Sequence, residues 1–224
     1  MKLLAIETSS AVGSLALLDG SAISERSIAT PREQSDRVLP MAEELFADAG
    51  LSLESLDAIV FGRGPGSFSG IRMAAAVAQG LALSRSLPVI AVSSLAAAAQ
   101  RAWREHGATR SLVCVDARMG EVYWARFGIE NGLAEIDGSE RLGAPLTVAC
   151  PPGEPWSAVG NGFTEYRTEL ENLLAQAAAV LGECPPTARD LLPRAERDCA
   201  AGRFCPPASA LPVYLRDEGA WRRQ

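Results

Sequence analysis

A glycine-rich corner at residues 61–72 constrains the fold more than any other stretch of the chain. Apolar residues 58–61 predict a strand, four glycines and a proline follow over residues 62–70, and a helix-prone segment begins near Phe68. Glycine permits positive φ and close backbone approach, and the unpaired N–H groups that open a helix attract anions. The corner therefore predicts a sharp strand-to-helix turn, with an anion site as the alternative.

The known phosphate-loop patterns do not fit this corner. A Walker loop needs Lys and then Ser or Thr after its last glycine, whereas Ile71 and Arg72 follow Gly70. The dinucleotide pattern fails because Ser67 stands where its third glycine belongs. Either Ser67 or Ser69 is placed to cap the helix. Arg72 in the first turn opposes the helix dipole, so we expect it to have a partner: an anion, an acidic side chain or another subunit.

The order of predicted elements indicates a layered α/β fold with two related lobes. Residues 112–127 repeat the opening of the chain, which is an apolar strand, an acid at the turn and a returning strand. This repeat predicts an internally duplicated fold with a cleft where the two turns face one another. We expect a lobe at 1–106 and a smaller one at 107–224, whose final segment is free to pack back on the first lobe. The predicted helices are 36–49, 68–84, 93–104, 165–181 and part of 187–202.

The predicted helix over 68–84 is unusual because most of its residues are small. It contains five alanines and two glycines, and such a surface cannot fill a core by bulk. Small side chains permit another helix to approach closely, within the chain or from another subunit. Packing of this helix on the sheet is the alternative. The two interpretations are compatible if the sheet and the second helix contact different faces.

Composition excludes several classes of function. The 224 residues carry a formal net charge of −6, which argues against sequence-independent nucleic-acid binding because that relies on basic surface. No apolar run approaches the roughly 18 residues of a membrane span, and no signal-peptide pattern begins the chain. Five irregularly spaced cysteines without a CxxC pair favour a reducing compartment. We therefore expect a cytoplasmic protein without a structural zinc site.

The single histidine removes most hydrolase and metal chemistries. His106 stands at what reads as the polar end of a helix, so a surface position is expected. One histidine cannot form a His-x-x-x-His metal pair, and no nucleophile elbow lies near it to support a Ser-His-Asp triad. We therefore expect no metal ligands and none of the usual hydrolase residues in this chain.

Five stretches of the sequence carry a resemblance to a known family. Two are long and specific: Gly-Arg-Gly-Pro-Gly-Ser-Phe-Ser-Gly-Ile-Arg at 62–72 and Val-Asp-Ala-Arg-Met-Gly-Glu-Val-Tyr-Trp at 115–124. The others lie at 4–10, 31–40 and 212–216. Together they resemble the TsaB family of bacterial tRNA threonylcarbamoyladenosine biosynthesis proteins, in the actin/Hsp70-like superfamily. The resemblance covers almost the whole chain.

This resemblance implies an α/β, actin/Hsp70-like (ASKHA, ribonuclease H-like) duplicated fold and a non-catalytic role. Members of the family act as scaffold and activator for their paralogue TsaD. TsaD transfers a threonylcarbamoyl group to adenosine 37 of tRNA and holds a metal through a His-x-x-x-His pair. The ATPase TsaE docks on the pair, and family members alone tend to form homodimers. The resemblance implies no cofactor for the chain itself, ATP used by the complex, and tRNA reached through the complex.

The resemblance also implies that the first two helices, 36–49 and 68–84, bind the partner. Gln34 stands where the family often has His, an exchange that removes no chemistry because the metal lies on the paralogue. The implied interface residues are Arg32, Val38, Leu39, Ala42, Leu45, Phe68, Arg72, Ala75, Ala76 and Gln79.

An actin-like ATPase or kinase is the alternative, since each lobe has an acid at its first turn. Against it, the second lobe is short, and Gly160–Gly162 is a poor substitute for the Gly-Gly adenosine loop of such folds. A vestigial site, with weak nucleotide binding at the partner interface, is a third interpretation and is compatible with the scaffold role. Its candidate residues are Glu7, Thr8, Ser9, Gly64, Gly66, Ser67 and Asp116.

Overall fold

Two five-stranded sheets form the framework of the chain. The structure is a computed structural model that describes residues 1–150, 153 and 155–216. The strands of the first sheet are β1 (Lys2–Glu7), β2 (Gly13–Asp19), β3 (Ala22–Ile28), β4 (Ala58–Gly62) and β5 (Val89–Val92). Their spatial order is β3-β2-β1-β4-β5. The first three strands are the predicted antiparallel meander, and β4 and β5 run parallel to β1.

The second sheet repeats the topology of the first. Its strands are β6 (Arg110–Arg118), β7 (Glu121–Glu130), β8 (Leu133–Gly143), β9 (Ser157–Val159) and β10 (Ala179–Leu181). They lie in the order β10-β9-β6-β7-β8, with an antiparallel meander over β6–β8 and β9 and β10 parallel to β6. Each strand thus has its counterpart in the first sheet, and the predicted α/β duplicated fold is confirmed.

Helices cover and separate the two sheets. They are α1 (Pro31–Ala49), α2 (Phe68–Arg85), α3 (Ser94–His106), α4 (Gly162–Glu165), α5 (Glu171–Leu174) and α6 (Ala188–Ala200). Helices α1 and α2 pack on one face of the first sheet and α6 on the other. Helix α3 packs on the inner face of the second sheet, whose outer face is covered around α4 and α5. No helix among the described residues has the length and hydropathy to cross a membrane.

Strand β1 shows how the sequence produces a sheet that is buried on both sides. Leu4 and Ile6 face the layer of α1 and α2, whereas Leu3 and Ala5 face α6. All four side chains are fully buried. A strand covered on both faces needs apolar residues at every position rather than at alternate ones. The first sheet therefore holds α1 and α2 as an outer layer of the molecule.

Helix α1 begins earlier than the prediction of Asp36. It starts at Pro31, after the extended residue Thr30, and ends where Gly50 takes up the left-handed conformation. Proline suits the first helical position because its fixed φ is helical and its missing N–H needs no partner there. The apolar periodicity could not mark this first turn, because the buried position one turn before Val38 is the polar Gln34.

The predicted helix over 165–181 is wrong. Two four-residue helices, α4 and α5, are separated by turns, and residues 179–181 form strand β10. Phe163 and Leu170 are buried against the second sheet, and β10 pairs with β9. Tertiary pairing overrides helix propensity here. Strand β8 is a further difference, because its mixed sequence gave no strand signal, and Asp116 belongs to β6 rather than to a turn.

The last part of the chain packs against the first sheet. Helix α6 buries Leu191, Leu192 and Ala195 on the face opposite α1 and α2. Beyond it, the backbone N–H of Val213 donates to the carbonyl oxygen of Arg63 at 2.9 Å. Although these residues fall within the sequence range 107–224, their contacts are with the first sheet and the glycine corner.

Candidate functional site

The glycines of the corner between β4 and α2 allow contact with the turn after β1. A Cβ atom at Gly62 would lie 2.0 Å from Oε2 of Glu7, and one at Gly70 would lie 1.9 Å from the carbonyl oxygen of Thr8. At Gly66 it would lie 2.6 Å from the carbonyl oxygen of Ser9. Real side chains do not tolerate such distances. These glycines therefore serve close packing within the chain.

Glu7 is fully enclosed by this packing. Its Oε1 accepts the N–H of Ser9 at 2.6 Å, and its Oε2 accepts the hydroxyl of Ser94 at 2.8 Å. Burial raises the pKa of the Glu7 carboxyl above its ordinary value, while these hydrogen bonds act in the opposite direction. The carboxyl group thus joins the ends of β1 and β4 to the start of α3. Nothing in the sequence marked Ser94 as its partner.

Two expectations for the start of α2 need correction. Ser67 occupies the capping position, but its side chain makes no capping hydrogen bond; its N–H donates to the carbonyl oxygen of Ser9 at 2.7 Å. The start of α2 is also tied to the turn after β1, since Thr8 Oγ1 donates to the carbonyl oxygen of Gly70 at 2.7 Å. Arg72 is the fifth helical residue rather than a first-turn residue.

Asp116 is engaged within the second lobe in a similar way. Its Oδ1 accepts the N–H of Arg118 at 2.8 Å and the hydroxyl of Tyr166 at 2.9 Å, and its Oδ2 lies 3.2 Å from the Arg118 guanidinium. Its own N–H donates to Oδ1 of Asn161 at 3.1 Å. Burial, and then the hydrogen bond to Asp116, raise the pKa of Tyr166 to about 12. This acid therefore organises its own hairpin.

A cleft of about 1100 Å³ lies between the two lobes. Of the seven residues predicted for a vestigial site, Ser9, Gly66, Ser67 and Asp116 line it. The other three, Glu7, Thr8 and Gly64, are buried behind its wall. Three arginines also line the cleft: Arg32, which was predicted for the partner interface, and Arg118 and Arg216, which were in neither predicted set.

The residues predicted for the partner interface divide between two faces of α1 and α2. Val38, Ala42, Leu45 and Ala75 are core residues, at most 4% exposed, and cannot present side chains to a partner. All four lie on the stripes of α1 and α2 that pack on the sheet, which is why these assignments need correction. Gln79 is half-buried and donates to Ala210 at 3.1 Å. The exposed members of the set are Arg32, Leu39, Phe68, Arg72 and Ala76.

Arg72 finds its partners within the chain, on two aromatic rings. Its guanidinium carbon lies 3.2 Å from the ring centroid of Phe68 and 4.8 Å from that of Tyr214. Its Nη1 also donates to the carbonyl oxygen of Phe68 at 3.2 Å. Tyr214 lies in one of the stretches quoted for the resemblance, but no periodicity in the sequence connected it with α2.

Among the described residues, no group of three or more His, Cys, Asp or Glu side chains is arranged to hold a metal ion. His106 is exposed at the last position of α3, as predicted.

Gln34 is buried and donates to the carbonyl oxygens of Ser10 and Ala11 at 3.2 and 3.3 Å, so this residue anchors α1 to the turn after β1.

Comparison with known proteins identifies the family. The model of the family "TsaD: tRNA N6-adenosine threonylcarbamoyltransferase" matches residues 27–144. The tRNA threonylcarbamoyladenosine biosynthesis protein TsaB of Escherichia coli is 40% identical, covering 100% of this chain and 98% of its own length. TsaB of Haemophilus influenzae is 33% identical, covering 100% and 97%.

Solved structures agree with these relatives. YeaZ from Pseudomonas aeruginosa has a TM-score of 0.88 and 40% identity, covering 96% of this chain and 99% of its own. A second structure, described as an uncharacterized protein with similarity to peptidase YEAZ from the same organism, has a TM-score of 0.90 and 41% identity with the same coverage. The chain belongs to the family that the TsaD model describes and, within it, to the TsaB proteins of tRNA threonylcarbamoyladenosine biosynthesis.

Proposed function

We propose that this chain is a non-catalytic subunit that supports threonylcarbamoylation of adenosine 37 in tRNA by binding a TsaD-type transferase. The observation that carries this proposal is the outward face of α2. Ala76, Gly80 and Leu83 are all exposed on one stripe of that helix, and a Cβ atom at Gly80 would meet nothing within 4 Å. Small residues let a second helix approach closely, because the side chains at the contact set the distance between helix axes.

Helix α1 supports the same surface. It lies in the same outer layer as α2, on one face of the first sheet, and its Leu39 side chain is 48% exposed. Two such helices meeting two helices of a partner would form a four-helix bundle. In the absence of the transferase, a second copy of this chain is the expected occupant of the same face, giving an isologous homodimer.

The state of the two acids supports a role without catalysis. A general acid or base must come within hydrogen-bond reach of its substrate, yet Glu7 is enclosed and Asp116 is engaged by Arg118 and Tyr166. We therefore assign the transfer step to the TsaD-type partner. The ATPase TsaE is the proposed third component, which would use ATP, and tRNA would be reached through the complex.

Omit-one reconstitution tests this proposal. The chain, a TsaD-type transferase and the remaining components are combined with tRNA and threonylcarbamoyl donor, and modified adenosine is measured after leaving out each protein in turn. We expect no product without the transferase and little product without the chain. Product from the chain without the transferase, or an undiminished rate without the chain, would contradict the proposal.

An actin-like ATPase or kinase is the second candidate, and the interlobe cleft is the observation that favours it. Its volume of about 1100 Å³ is sufficient for a nucleotide, and ligand sites commonly lie between domains. Calorimetry with ATP and Mg²⁺ separates the two candidates. Tight binding by the isolated chain would favour the ATPase, whereas we expect weak binding or none.

A further inference from the structure

The closing segment, residues 210–216, joins the glycine corner to the second lobe. The N–H of Val213 donates to the carbonyl oxygen of Arg63 at 2.9 Å. Farther along, the Arg216 guanidinium lies 2.6 Å from the carboxylate of Glu121 on β7, and the Arg216 side chain is only 9% exposed. The closing segment is thus fixed on both sides of Tyr214, by Val213 and Arg216, before any partner binds.

Tyr214 completes a cluster of exposed residues at the start of α2. The side chains of Phe68 and Tyr214 are 50% and 48% exposed, and their ring centroids lie 6.4 Å apart. Arg72, also exposed, lies over both rings. Within the described part of the chain, Arg72 has no salt bridge to a carboxylate. The cluster therefore presents a positioned cation that carries its charge outward.

We propose that the Phe68–Arg72–Tyr214 cluster binds a carboxylate of the transferase partner, which extends the docking surface from α2 onto the closing segment. This inference rests on the proposed function. A guanidinium held over aromatic rings keeps N–H groups for a carboxylate, with which arginine forms paired charge-assisted hydrogen bonds. Arginine and tyrosine are also the residue types on which binding energy concentrates at protein interfaces.

The surroundings of the cluster favour a protein carboxylate over a tRNA phosphate. Arg72 lies one helical turn from Ala76 and two from Gly80, so the cluster continues into the small, uncharged stripe of α2. Arg85, at the far end of that helix, already pairs with Glu54. Binding to the phosphate backbone of a nucleic acid needs several cationic side chains together. The net charge of −6 on this chain argues against such a cluster of cations.

Calorimetric titration of the full-length chain with the TsaD-type transferase tests the inference. We expect Tyr214→Ala and Arg72→Glu each to weaken the affinity at least about tenfold. Tyr214→Phe, which keeps the ring, and Leu211→Ala, a change at an exposed residue of the same segment, are expected to stay within about twofold of the unsubstituted chain. Arg72→Lys is expected to lose affinity, because a lysine cannot form the paired hydrogen bonds. Urea unfolding of each variant checks that the fold is kept.

A helix-face variant separates this inference from the function on which it rests. Leu83→Asp places a charge on the α2 stripe, away from the cluster. If Leu83→Asp loses binding while Tyr214→Ala and Arg72→Glu bind normally, the docking function stands and the cluster proposal is overturned. If the unsubstituted chain does not bind the transferase, both fail. Filter binding of tRNA to the isolated chain provides the remaining arm: a loss of tRNA binding in the cluster variants, with transferase affinity unchanged, would overturn the carboxylate assignment.

Discussion

At the scale of single residues, the glycines of the corner are explained by their neighbours inside the chain. Gly62, Gly66 and Gly70 lie against Glu7, Ser9 and Thr8, at the end of β1 and in the turn that follows it. The same sequence pattern was compatible with a ligand cradle, because both uses need backbone without a side chain. The distances decide between them, since the space that a side chain would take at each position already holds atoms of that turn.

Gly70→Ala tests this explanation against a matched glycine of the same helix. The added methyl group would lie 1.9 Å from a backbone oxygen, so we expect the free energy of unfolding to fall by about 2–4 kcal/mol. Gly80→Ala meets no atom within 4 Å and should raise it by roughly 0.5–1 kcal/mol. Urea denaturation measures both. Equal effects of the two substitutions would contradict the packing role.

Glu7 gives a pH dependence with a definite sign. Burial raises the pKa of its carboxyl in the folded protein above 4.5, so the folded state binds a proton that the unfolded chain releases. The free energy of unfolding therefore falls as pH rises through the window from 4.5 to the folded-state pKa. Glu7→Gln removes this titration. The stability of the variant relative to the unsubstituted chain should therefore grow as pH rises. If urea denaturation shows the same pH dependence of the free energy of unfolding for both proteins, Glu7 is not the titrating group.

At the scale of elements, α1 and α2 each have an inner face packed on the first sheet and an outer face exposed to solvent. The inner faces pack on the first sheet through residues such as Val38, Leu45 and Ala75. The outer faces carry Leu39 and Leu83 in solvent. Apolar periodicity identifies the inner face, because burial of a wide stripe is what produces the pattern. A partner surface composed of scattered apolar and small residues gives no such period.

Substitution of two leucines of α1, one on each face, compares what the two faces contribute to stability and to binding. Leu45 is fully buried and Leu39 is 48% exposed. Leu45→Ala should lower the free energy of unfolding by about 2–5 kcal/mol because it leaves a cavity. Leu39→Ala should stay within about 0.5 kcal/mol, while weakening transferase binding. The same stability loss in both variants would show that the faces are wrongly assigned.

At the scale of the whole molecule, two sheets of one topology are joined by specific contacts. The Arg63 guanidinium at the glycine corner lies 3.0 Å from Glu140 of β8. Arg104 on α3 pairs with the buried Asp190 of α6 through two hydrogen bonds of 2.8 and 2.9 Å. Such pairs fix the lobes on either side of the cleft. The outer layer of α1 and α2 takes no part in these two ion pairs.

Much of this architecture could be predicted from local sequence, and its long-range pairings could not. The apolar run of β1 and the start of α2 at Phe68 follow from neighbouring residues, so both predictions are confirmed. Residues 179–181 form a strand only because β9 lies beside them. Tyr214 reaches Arg72 across more than a hundred residues. Neither contact has a local signal, because each depends on how the completed lobes come together.

The most direct test of the central claim is the rate of tRNA threonylcarbamoylation measured against the concentration of this chain at fixed transferase. We expect the rate to rise and saturate near one chain per transferase. The Leu83→Asp variant, changed on the outer face of α2, should need a much higher concentration to reach the same rate. Leu146→Asp, an exposed leucine of the second lobe, should follow the unsubstituted chain. If Leu83→Asp also follows it, or if the rate does not depend on the chain at all, docking through this face is not how the protein acts.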